Sequence, residues 1–163
     1  LGAYEDQNGL PAPASTMVTS GVGGSLALGN TFDITFPPNA TQTDLTVTYQ
    51  AQGSPMINLG NGQQAIRSFT LEARDPTNML VTNFDQPYTM IFNYTDAELA
   101  AVPVNEADLN VHYWNGSAWV SMLPCTGCSI DTTANRITVV ADHFTEFALT
   151  GQAELIYLPI VMR

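Results

Sequence analysis

The chain has 163 residues, enough for one domain with a sizeable core and too few for two. Hydrophobic residues make up 45% and charged residues only 12%, so a packed core is expected while Thr, Ser, Asn and Gln supply surface polarity, as suits pleated sheets with a solvated face. The net charge is −11 with no lysine; this argues against binding nucleic acid and docking to anionic membranes, which need clustered cations, and it makes copies repel unless specific contacts hold them.

Residues 1–15, with Gly2, Gly9, Pro11 and Pro13, read as an extended leader. The chain starts at Leu1 without a methionine, so a processed or partial product is expected, with no signal or spanning segment legible in it. From there a two-residue period governs. Phe32, Ile34 and Phe36 alternate with Thr31, Asp33 and Thr35, and Leu45, Val47 and Tyr49 alternate with Thr46, Thr48 and Gln50, the mark of half-buried strands. The same pattern runs over 68–74, 88–95, 109–114, 118–123, 136–141 and 145–150.

Turn residues separate these runs at Pro37-Pro38-Asn39, Gly60-Asn61-Gly62, Asp75-Pro76 and Thr126-Gly127. Asn115-Gly116 predicts a tight hairpin, because both residues accept positive φ. Only 96–101 reads as helical, with Asp96 as its cap. About ten strands with almost no helix predict an all-β antiparallel sandwich over residues 16–151, immunoglobulin-like or a related Greek key, with one short helical turn.

Residues 152–163 break the pattern. Leu155, Ile156, Tyr157, Leu158, Ile160, Val161 and Met162 are apolar at both parities, so a strand made of them needs cover on both faces. The run is too short to cross a bilayer, which takes about 20 residues. It is expected either as a central strand of its own domain or as a strand given to a neighbouring copy, and Pro159 interrupts two-sided pairing in either case.

Few residues offer chemistry. Cys125 and Cys128 form a C-T-G-C step between two strands, open to three readings: a loop-closing disulfide, a redox pair or half a zinc site. Zinc would need His112 and His143, both on predicted strands, and redox pairs usually open a helix; a disulfide in an oxidising compartment is expected. His143-Phe144-Thr145 could undergo an N-to-O acyl shift, the Thr145 hydroxyl attacking the preceding carbonyl with His143 moving the proton; the competing reading is an ordinary strand, with Phe147 and Leu149 as core.

His112 is expected to be an exposed strand residue. Trp114 and Trp119 are expected in the core, with a sugar-stacking platform as the alternative. Asp96, Glu98, Glu106 and Asp108 cluster without the regular spacing of a calcium loop, so neither a metal nor any cofactor is expected. Asn39, Asn93 and Asn115 head N-x-[ST] steps and are glycosylation candidates. There is no G-x-S-x-G elbow, phosphate-cradling loop or H-E-x-x-H, and general bases are scarce.

Two stretches carry a resemblance. The run from Gly23 to Ala40, with Phe32-Asp33-Ile34-Thr35-Phe36-Pro37-Pro38-Asn39, then 109–114, Trp119 and Asp142-His143-Phe144-Thr145-Glu146-Phe147-Ala148-Leu149, resembles the β-sandwich of ankyrins, netrin receptors and bacterial secreted relatives. Some members cut themselves at an H-F-S step, which maps onto Phe144 and Thr145, with threonine here in place of serine. The ending Tyr157-Leu158-Pro159-Ile160-Val161-Met162-Arg163 is similar to a Y-L-P-L-V-x-R terminus of secreted proteins from filamentous bacteria. The first implies a sandwich, the second an exported bacterial surface protein, and together they imply a display or assembly role outside the cell.

The expected function is therefore a non-enzymatic structural subunit of an extracellular filament or surface assembly, with copies of itself as partners joined by strand donation. A self-cleaving domain and a carbohydrate-binding module, with glycans as partners, are the alternatives.

Overall fold

The computed structural model describes residues 10–60 and 62–153; the apolar segment 155–162 lies outside the described residues. In chain order the strands are β1 (Ala14–Val18), β2 (Gly24–Leu28), β3 (Phe32–Phe36), β4 (Leu45–Gln52), β5 (Gln63–Arg74), β6 (Leu80–Val81), β7 (Asn83–Asn93), β8 (Asn110–Trp114), β9 (Trp119–Ser121), β10 (Ser129–Asp131), β11 (Arg136–His143) and β12 (Glu146–Gln152). Helix α1 (Asp96–Ala101) and a 3-10 turn (Glu106–Asp108) lie between β7 and β8.

The strands form two antiparallel sheets, an all-β sandwich. One runs β1-β4-β5-β12-β8-β9, with β6 added to β5; the other runs β10-β11-β7-β3-β2. Alternation places the core: Phe32, Ile34 and Phe36 of β3 face Leu45, Val47 and Tyr49 of β4 across the sheets, all buried. Phe69 is central to one aromatic cluster, stacked on Tyr49 at 5.0 Å and Phe147 at 5.5 Å and tilted against Phe32 at 5.2 Å. A second cluster joins Phe36, Phe84, Tyr88 and Phe144, with Phe84 and Phe144 edge to face at 4.7 Å.

Several expectations need correction. Strands β1, β2, β6 and β10 carry weak signals in sequence: β1 is Ala-Ser-Thr-Met-Val and opens inside the span read as a leader, while β10 is exposed throughout. The helix is capped by Thr95 rather than Asp96, in a capping box with Glu98, so Thr95 belongs to the helix start and the preceding strand ends at Asn93. The run 145–150 is not half-buried: from Glu146 to Gly151 every residue of β12 is buried, because β5 and β8 flank it and its outer face is also covered.

Candidate functional site

The His143-Phe144-Thr145 step is a corner between the sheets. β11 ends at His143 in one sheet and β12 starts at Glu146 in the other, so the two intervening residues carry the crossing. Phe144 turns inward to its aromatic cluster and its N–H donates to Thr82 O at 2.7 Å. Tyr88 Oη donates to His143 O at 2.7 Å, and burial pushes the Tyr88 phenol well above its ordinary pKa. His143 and Phe147 therefore do not share a strand face, which corrects the continuous-strand reading.

The groups of an acyl shift are near one another but otherwise engaged. Thr145 Oγ1 donates to Trp114 O at 2.5 Å. His143 Nδ1 lies 3.1 Å from Asp142 Oδ1, and its ring meets Tyr113 edge to face at 4.6 Å. His143 Nε2 is buried with no hydrogen-bond partner among the described residues.

The outer face of β12 holds a second group of polar side chains. Glu146, Ser68, His112 and Thr150 are all buried there. The loop between β4 and β5 lies over them: Met56 N–H donates to Glu146 Oε1 at 2.7 Å, and Trp119 Nε1 donates to Ile57 O at 3.0 Å. His112 is thus 6% exposed rather than an exposed strand residue.

Its hydrogen bonds define its protonation. Thr150 Oγ1 donates to Asn110 O at 3.3 Å and so accepts from His112 Nδ1 at 2.9 Å, while His112 Nε2 accepts from the Gln63 amide at 3.4 Å. This fits a neutral ring, and burial lowers the His112 pKa. No motif in the sequence marks Glu146, Ser68, Thr150 or Gln63; they sit at outward positions that read as solvated until the loop covers them.

Trp114 and Trp119 are half-buried on this outer face, edge to face at 5.9 Å, and outside the inter-sheet core, contrary to expectation. Their positions in β8 and β9 point away from the second sheet. The predicted hairpin between them forms, but through the four residues 115–118 rather than a tight Asn-Gly turn: Gly116 has φ 95° while Asn115 does not have positive φ, and Asn115 Oδ1 accepts from Ser117 N and Ala118 N, each at 2.9 Å.

The carboxylates do not converge. Glu98 pairs with Arg67, Glu106 accepts from Tyr94 Oη at 2.8 Å, Asp96 accepts from Asn135 at 3.0 Å and Asp108 from Asn105 at 3.2 Å. Among the described residues no group of three or more His, Cys, Asp or Glu could hold a metal ion. Cys125 and Cys128 are disulfide-linked with Cα atoms 5.1 Å apart, and Cys128 Sγ accepts from Val140 N–H at 3.4 Å. Asn39 and Asn115 are exposed, whereas Asn93 is half-buried and its Oδ1 accepts from Arg136.

Beyond β12 the chain reaches Ala153, which bridges Val104 and donates to Gly62 O at 3.0 Å. A Cβ on Gly151 would fall 2.6 Å from Val104 Cβ, so glycine is required for this close approach. The proposed donor residues Leu155, Ile156, Tyr157, Leu158, Ile160, Val161 and Met162 follow, outside the described residues. Among the described residues no helix is long and apolar enough to cross a membrane. No family model matches this chain, and no curated protein matches it.

Proposed function

We propose that the chain is a non-enzymatic structural subunit of an extracellular bacterial assembly, in which segment 155–162 of one copy is donated as a strand to the next. The supporting observation is β12: it is paired on both edges, to β5 and β8, and buried from Glu146 to Gly151. The central place in its sheet is taken before the apolar segment begins. Covering seven large apolar side chains offers on the order of 10 kcal/mol before ordering costs, enough to matter against long-range repulsion. The segment carries no charge of its own between Leu155 and Met162.

The test is particle mass by light scattering, with electron microscopy of the native chain and of a Leu158→Glu, Ile160→Glu double variant. Large assemblies of the first and single copies of the second are expected. A native chain that remains a single copy at every concentration overturns the reading.

A second reading, contact with glycans, is favoured by the Trp114–Trp119 pair on the outer face beside the Asn115-Gly116 turn. Trp114→Ala should then weaken retention on polysaccharide; unchanged retention removes it. The H-F-T step we read as a structural corner rather than a cleavage site, because the Thr145 hydroxyl gives its proton to Trp114 O.

A further inference from the structure

We infer that the donated segment 155–162 is received in a slot between β1 and β2 of the neighbouring copy, an assignment that rests on the strand-donation reading. β1 and β2 are edge strands of opposite sheets on one side of the sandwich: among the described residues β1 pairs only with β4 and β2 only with β3. At one end they are drawn together by the Thr19–Gly23 bridge and by Gly24, where a Cβ would fall 2.7 Å from Met17 O. Toward Ala12 and Leu28 a cavity of about 670 Å³ opens instead.

Its floor is Phe32, Tyr49, Phe69 and Phe92 from the inter-sheet core, with Ala12 and Leu28 at its walls. Arg67 and Glu98 are its charged lining residues, and they neutralise each other. An uncharged apolar strand would therefore meet no unpaired charge. The volume is several times the roughly 150 Å³ apolar cavity that takes up a benzene ring, so it has room for several aliphatic side chains.

The segment suits an edge. Eight extended residues span about 26 Å, longer than the five-residue strands β1 and β2. A strand added to an edge pairs on one side only, so the missing N–H of Pro159 can face away without breaking the ladder. Side chains of one parity, such as Ile156, Leu158, Ile160 and Met162, can then enter the slot while the main chain supplies the pairing, so the slot provides one of the two faces of cover that the segment needs.

The experiment mixes two single variants of the full chain, Leu158→Cys and Ala27→Cys, the latter at an exposed position on the slot. Oxidation should give a disulfide between Cys at 27 of one copy and Cys at 158 of another, identified by mass spectrometry. Placing Ala12→Arg in the A27C copy should cut its yield about tenfold or more.

If assemblies form but the mixed link does not, or if Ala12→Arg changes neither link nor particle mass, the slot assignment falls and strand donation stands. If the A27C, L158C double variant links only within one chain at low concentration, the occupant is the chain's own tail and the inference is overturned. A Tyr4→Cys link to A27C in place of L158C assigns the slot to residues 1–9, with the same consequence. A chain that never assembles removes both proposals.

Discussion

Arg67 meets Glu98 side on, Nε to Oε1 at 2.8 Å and Nη2 to Oε2 at 2.9 Å, while the same guanidinium donates to Thr31 O at 2.9 Å and Asn93 O at 2.8 Å. Arg67 belongs to β5 of one sheet, and its two carbonyl partners belong to the other, at the β2–β3 turn and the end of β7. A single side chain thus ties the sheets together at the end where the slot opens.

Replacing Arg67 by alanine should lower unfolding stability by roughly 2 kcal/mol, less than for a fully buried pair because the two side chains keep 17% and 31% exposure. Arg67→Lys should recover only part of this, since an ammonium cannot reproduce the planar fork. Urea midpoints at constant slope measure both. Equal midpoints for the lysine variant and the native chain would show that charge alone suffices.

Stability should fall on acidification through His112. Its folded pKa is lowered by burial, so the unfolded chain binds the proton more readily; the contribution is complete above the ordinary value of about 6.5 and is lost as pH drops from there toward the folded value. His112→Gln should flatten that part of the stability profile measured between neutral pH and about pH 5. Parallel profiles for the two proteins would assign the loss to other groups.

The corner reading predicts one intact band for the native chain on a denaturing gel, unchanged by Thr145→Ala. That variant should lose about 1 kcal/mol through the Trp114 hydrogen bond, whereas Phe144→Ala should lose roughly 3–5 kcal/mol by opening a cavity in its aromatic cluster. Two fragments meeting between Phe144 and Thr145, abolished by Thr145→Ala, would establish self-cleavage instead.

Trp119→Phe keeps an aromatic side chain, smaller by one ring, and removes the donor to Ile57 O. The loop over Glu146 should then open more often, and limited proteolysis should cut between residues 53 and 60 faster while global stability falls by about 1 kcal/mol. Unchanged cleavage would mean that Met56 N–H on Glu146 holds the loop unaided.

Periodicity made most of the sandwich legible. Phe32, Ile34 and Phe36, or Val47 and Tyr49, alternate with threonines because a pleated strand turns successive side chains to opposite faces, and that rule needs no knowledge of neighbours. A strand as short as β10, Ser-Ile-Asp, escaped it, because one apolar residue, Ile130, cannot show a repeat.

The fold class, a hairpin at Asn115-Gly116 and the scarcity of cations could be read from the amino acids alone, since these follow from local backbone preference and summed charge. Long-range packing, by contrast, buries His112, leaves Trp114 and Trp119 outside the core, gives four carboxylates four different partners and turns a corner at Phe144. Each of these depends on which distant segment covers a given face. A loop folding back over β12, or a chain passing from one sheet to the other, is set by packing among residues far apart in sequence, where a two-residue period carries no information.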